Sequence, residues 1–106
     1  MQAVPDQTVI TPTGELDLAG ASAFRSVLQD TVSATTDGVV VDLSDVEFID
    51  SSGLAVIVEV DQQLHRQQRR LAVVAPRGTA AAVMLTLSGL RGRLRVFDSR
   101  AAARRS

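Results

Sequence analysis

The sequence predicts an α/β fold, a single domain in which a mixed, mainly parallel β-sheet is covered by helices. Three observations predict it. Segments of strand and helix character alternate along the chain. Two strand-like runs, residues 38–43 and 71–75, are apolar without polar alternation, as in strands covered on both faces. And 106 residues suit one folding unit, domains being on the order of 100–200 residues. With 45% hydrophobic residues but only 3% aromatics, the core is aliphatic.

Taken in order, residues 7–16 read as one strand, with Pro5 and Pro12 favouring an edge position or an irregular start. From Gly20 to about Ser33, Phe24, Val27, Leu28 and Thr31 recur at the spacing of an amphipathic helix, with Arg25, Gln29 and Asp30 on its polar side. Asp37-Gly38 marks a turn before the valine-rich strand. Residues 52–68 are ambiguous by propensity, but their length selects helix, with Leu54, Ile57, Val58, Asp61, Leu64 and His65 on one stripe. Pro76 stops the strand 71–75. A small-residue helix over 79–87 follows, packing through Ala80, Val83, Met84 and Leu87 and closed by Gly89 in a left-handed cap. Residues 94–97 form the last strand, giving the order β-α-β-α-β-α-β. The expected organisation is a short lead-in over 1–13, the domain over 14–99, and a flexible basic tail over 100–106, where Arg100, Arg104 and Arg105 sit among small residues.

Composition excludes several chemistries. Without cysteine there is no disulfide scaffold, thiolate zinc site or cysteine nucleophile. No apolar run reaches the roughly 18 residues of a membrane span, and no secretory signal opens the chain, so a cytoplasmic location is expected. The net charge of −1 conceals a split: residues 1–61 carry eleven acids and one base, and residues 62–106 ten arginines and one acid. A split of this size permits a strongly patterned surface, although in an interleaved α/β fold sequence halves need not become opposite faces. No phosphate-cradling GxxxxGK[ST] or GxGxxG sequence is present, so no nucleotide or other cofactor is expected. The single His65 stands thirteen residues from Ser52, about 20 Å along a helix, too far to serve as its base.

Two readings attach to Asp42, Asp45, Glu47 and Asp50. They are a solvated acidic loop, or they hold a magnesium ion, although spacings of three, two and three do not fix an octahedral set. Asp42 as a phosphate acceptor lacks a second acidic pair to hold a metal. In Asp50-Ser51-Ser52-Gly53-Leu54 the chain leaves the acidic loop for a helix. A serine there caps free backbone N–H groups, and a phosphate on the same hydroxyl would also be favourably placed, by about 0.3–1 kcal/mol when exposed.

Gly14-Glu15-Leu16-Asp17, residues 39–44, residues 46–54 and Leu87-Ser88-Gly89-Leu90 together resemble the STAS domains of bacterial anti-sigma-factor antagonists. The resemblance implies a regulator rather than an enzyme. In its unmodified state such an antagonist captures an anti-sigma factor that is itself a serine kinase and so frees a sigma factor; phosphorylation ends the capture and a serine phosphatase restores it. It further implies Ser52 as the acceptor, with Ser51 a secondary candidate. The partner-binding loop would comprise Asp42, Ser44, Asp45, Glu47, Asp50, Ser51, Ser52, Gly53 and Leu54, with Asp50 shaping it and Gly53 leaving room for a partner backbone. No direct nucleic-acid or membrane contact is implied. The alternatives are an accessory or scaffold subunit of a transporter ATPase or stress-signalling complex, a small-ligand or nucleotide sensor, and a metal-dependent phosphohydrolase on the acidic loop.

Overall fold

Strands that are apolar on both sides need cover on both sides, and the computed structural model, which describes residues 7–105, shows how the chain supplies it. In chain order the elements are β1 (Gln7–Ile10), β2 (Gly14–Leu16), α1 (Ala21–Ala34), β3 (Gly38–Asp42), β4 (Val46–Ile49), α2 (Ser51–Arg66), β5 (Leu71–Val74), α3 (Ala80–Leu87), a 3-10 turn (Leu90–Gly92), β6 (Arg95–Phe97) and α4 (Arg100–Arg105). The main sheet has the order β1-β3-β5-β6, and β2 pairs with β4 in a separate ladder; every ladder among the described residues is parallel. Residues 1–6 of the expected lead-in lie outside the described residues.

Two boundaries differ from the sequence reading. The strand expected over 7–16 is two strands in different sheets, separated at Pro12, which has no N–H for a ladder, and by Gly14 at φ +76°. Residues 46–49, read as part of an acidic loop, form β4, with Val46 and Ile49 buried and Glu47 and Phe48 exposed.

Alternation along the central strands assigns the two faces. Val39 and Val41 of β3 and Leu71 and Val73 of β5 pack with Phe24, Leu28 and Val32 of α1, Leu54, Ile57 and Leu64 of α2, and Ala81, Ala82 and Leu85 of α3. Each such side chain contributes roughly 1.5–3 kcal/mol when fully buried. The helix stripes are rotated from those expected. In α1 Val27 is 52% exposed while Ala21 and Val32 are buried. In α3 Val83 and Leu87 are 51% and 74% exposed, and Ala81, Ala82 and Leu85 go inward. The α3 sequence, AAAVMLTL, is apolar all round, so its periodicity has no polar side from which to choose a face. In α2 Leu54, Ile57 and Leu64 are buried as expected, and His65, among the polar members at the far end of the stripe, is exposed. Gly89 has φ +76° directly after α3, the left-handed terminator expected of it.

Polar side chains fix the helices in place. Arg25 Nε donates to Glu59 Oε2 at 2.8 Å and Gln29 Nε2 to Gln63 Oε1 at 2.7 Å, joining α1 to α2. Arg69 closes the end of α1, donating to the Val32 carbonyl, the Thr35 hydroxyl and the Asp37 carbonyl.

The opposite face, formed by Val40, Ala72 and Val74, is covered by Ala103 of α4 with Phe97 beside it. Here the expected flexible tail is corrected: residues 100–105 are a helix, and Ala103 is fully buried. Its anchor is Arg100, whose Nε donates to Asp42 Oδ2 at 2.6 Å and whose Nη2 donates to Thr11 Oγ1 at 2.9 Å. A run of small residues reads as frayed end in one dimension, but here the small Ala103 side chain packs directly on Val40, Ala72 and Val74 of the sheet.

Asp42 is only 6% exposed in its side chain. Burial pushes its carboxyl up, but the hydroxyl and N–H of Ser44 and the guanidinium of Arg100 outweigh burial and hold it below the ordinary aspartate value of 3.8. Arg100→Ala is expected to destabilise the protein by about 1 kcal/mol, since half of the arginine is in water. A folded-state value below the unfolded one means that Asp42 stabilises the fold above the unfolded value, and that this is lost as pH falls through the folded value. Urea titrations from about pH 4 downward should therefore show a shallower acid loss for Asp42→Asn than for the wild type.

Candidate functional site

The expected partner-binding residues come from three elements and the segments that join them. Asp42 ends β3, Ser44 and Asp45 occupy the turn, Glu47 lies on β4, and Asp50 to Leu54 form the entry to α2. Ser44, Asp45, Glu47 and Ser51 are exposed, Asp50 and Ser52 half-buried, and Gly53 and Leu54 buried. Asp42 does not share this surface. It is buried beneath Arg100 and Ser44, because its carboxylate completes the contact with α4. The same bonds occupy the carboxylate that a metal or a phosphoryl group would need, and no three acidic or histidine side chains among the described residues converge on a common ion site.

At the start of α2 the cap is Asp50. It has extended backbone and its Oδ1 accepts from Ser52 N at 2.8 Å and Gly53 N at 3.4 Å. The reading in which a serine caps this helix is therefore replaced: neither the Ser51 nor the Ser52 hydroxyl is hydrogen-bonded among the described residues. Both hydroxyls stand in the first turn of a sixteen-residue helix, where backbone N–H groups and the helix dipole favour negative charge.

Gly53 serves the chain itself rather than an incoming partner backbone. A Cβ there would lie 2.4 Å from the Leu16 carbonyl oxygen and 2.9 Å from both Leu16 Cβ and Ile49 Cγ1. The Leu16 carbonyl also accepts from Asp50 N at 3.3 Å. The end of β2 is thus pressed against the first turn of α2, and the space that glycine leaves is already filled.

Pairing of β2 with β4 brings in residues absent from the expected site. Glu15 pairs with Phe48, so an exposed acid and a 49% exposed phenylalanine lie beside the Ser52 turn. Phe48 was hidden from sequence reasoning because β4 was read as loop, and alternation would not have found it either: Val46, two residues away on the same side of the strand, is buried, so the exposure of Phe48 is decided by the tertiary packing. Down the flank of α2, Ser51, Ala55, Val58 and Gln62 at helical spacing line a groove of about 440 Å³ closed by Ser88 and Leu90. At the far end of the same helix, Asp61, His65, Arg66 and Arg93 line a common pocket. Burial pushes the Asp61 carboxyl up, opposed by His65, Arg93 and Arg95. The helix therefore runs from acidic surroundings at Ser51 to basic ones at Arg66, about 22 Å apart at 1.5 Å per residue.

The sequence and fold of the chain are similar to those of known proteins. The family model described as STAS domain matches residues 1–103. The anti-sigma-F factor antagonist RsfB of Mycobacterium tuberculosis is 32% identical over 91 residues, which are 86% of this chain and 73% of RsfB. An anti-sigma factor antagonist from Mycobacterium paratuberculosis superposes with a TM-score of 0.85 at 26% identity, covering 96% of this chain and 86% of that one. The Bacillus cell fate determinant SpoIIAA in its phosphorylated form has a TM-score of 0.65 at 22% identity, covering 99% and 95% of the two chains, a likeness of fold.

Because the cap is the Asp50 carboxylate, Asp50→Ala should cost about 1 kcal/mol in chemical denaturation, whereas Ser51→Ala and Ser52→Ala should stay within about 0.5 kcal/mol of the wild type. A loss of stability in Ser52→Ala as large as that in Asp50→Ala would contradict this assignment.

Proposed function

The chain belongs to the STAS domain family, and from that premise we propose that it is an anti-sigma-factor antagonist acting in the cytoplasm, switched by phosphorylation of Ser52. In its unmodified form it binds an anti-sigma factor that is also a serine kinase, and a sigma factor is released. Phosphorylation ends the binding and a serine phosphatase restores it. The observation that carries the reading is local: Asp50 caps α2, leaving the Ser51 and Ser52 hydroxyls outside the fold's own hydrogen bonding. The relatives support it, RsfB being an anti-sigma-F factor antagonist and SpoIIAA having been solved in phosphorylated form.

The switch follows from charge. A phosphate adds about −1.5 to −2 to a surface already carrying Glu15, Asp45, Glu47 and Asp50. Repulsion and the cost of desolvating the dianion weaken a contact made there; a coupling of about 3 kcal/mol changes affinity roughly 150-fold. The Asp50 cap can persist beside the phosphate, so helix and sheet are expected to keep their structure. Capture itself uses the exposed Phe48, the acids around it and the groove below Ser51. An acidic surface of this kind selects a basic partner face.

Incubation with the kinase and ATP, followed by mass mapping, should place phosphate on Ser52. Phosphorylation that persists in Ser52→Ala, with none on Ser51, would remove the assignment. In calorimetric titration Ser52→Asp should bind the anti-sigma factor at least tenfold more weakly than wild type, and wild-type affinity should fall as salt is raised. Equal binding by Ser52→Asp would show that this surface is not the switch.

A further inference from the structure

Neighbouring strands β5 and β6 send their following helices to opposite faces of the sheet. The helix after β5, α3, packs on the Val39–Val41 side, whereas the helix after β6, α4, packs on the Val40–Val74 side. Beyond the carboxyl ends of two such parallel strands the backbone separates and leaves a crevice, the place where open α/β sheets take up ligands. This chain has one there, of about 680 Å³, within the roughly 300–1,000 Å³ of small-molecule sites.

Its walls are chemically divided. Val83 and Leu87, the exposed apolar side chains of α3, face it, with Val96 and Phe97 from β6 and Ala102 from α4. Two arginines reach it from separate loops, Arg77 after β5 and Arg91 in the 3-10 turn. Arg91 is oriented by the chain itself, donating from Nε to Thr86 Oγ1 at 2.8 Å and from Nη2 to the Ala82 carbonyl at 3.4 Å. Arg77 has no hydrogen bond or ion pair within the described residues, so its guanidinium is available. Asp98 is the one acid on the lining, which leaves a net single positive charge. No residue of this crevice belongs to the Ser52 surface.

We infer that this crevice binds a small anionic amphiphile, an apolar chain or ring carrying one carboxylate or phosphate that sits between Arg77 and Arg91 while its apolar body covers Val83, Leu87 and Phe97. A planar guanidinium fork suits either anion, so headgroup identity is left to the measurement.

The test uses the full chain, isotopically labelled, titrated with sodium decanoate and with decyl phosphate below their micelle concentrations, with decanol and inorganic phosphate as controls, and followed by amide chemical shifts. Saturable shifts at Arg77, Val83, Leu87, Arg91 and Phe97 are expected with the anionic amphiphiles. Decanol and inorganic phosphate should each bind at least tenfold more weakly, and the tighter of the two amphiphiles assigns the headgroup. Arg77→Gln, which removes no internal bond, should weaken binding at least fivefold with an unchanged unfolding midpoint. Absence of saturable shifts in the crevice, shifts centred elsewhere, or equal binding of decanol and the anions would each overturn the inference.

Discussion

The contact between the Leu16 carbonyl and the first turn of α2 is the constraint on which the candidate site depends. That carbonyl accepts the Asp50 N–H and lies where a Cβ on residue 53 would be. Only glycine allows the approach, since any side chain would have to displace backbone rather than a flexible side-chain end. One close contact thus sets the position of α2 against the β2–β4 ladder, and with it the exposure of Ser51, the half-burial of Ser52 and the inward direction of Leu54. A glycine that looks in sequence like an opening for a partner is the closure of the protein's own joint.

A second joint, on the other side of the sheet, has a different physical basis. Three helices bury one face, while the other depends on the short α4, whose Ala103 packs on the sheet and whose Arg100 reaches the buried Asp42. An ionised aspartate this enclosed is tolerated because it accepts from Ser44 as well as from Arg100. The acid therefore belongs to the framework that supports the Ser52 surface and not to that surface. The same arrangement, α3 on one face and α4 on the other, opens the crevice between β5 and β6.

Membership of the STAS family accounts for the architecture, and the division of charge accounts for how such an architecture can be regulated without refolding. The acidic half of the sequence supplies the surroundings of Ser52, and the basic half supplies the far end of α2. Because the helix is capped by Asp50, a phosphate on an adjacent hydroxyl need not break a bond that the fold requires. Its effect would be exerted on whatever docks there.

Much of this was legible in the sequence, and the exceptions have a pattern. The order of α1, β3, α2, β5, α3 and β6 follows from hydrophobic runs and their breaks, and the family likeness follows from the ordered motifs between Gly14 and Leu90. Hydrophobic content and length decide these features locally. The face that α3 buries, the separation of β1 from β2 and the existence of β4 were not decided locally. An apolar helix has no polar side to orient it, and a three- or four-residue strand is defined by its neighbour rather than by its own composition. The same holds for function: the sequence alone singled out the two serines after Asp50. Only the tertiary structure decided that Asp50 is the cap, that Gly53 is filled by Leu16, and that Asp42 and the arginine-rich end are bound to each other. Each of these is a contact between residues distant in the chain or a competition among neighbours for one hydrogen bond, and neither is encoded in spacing.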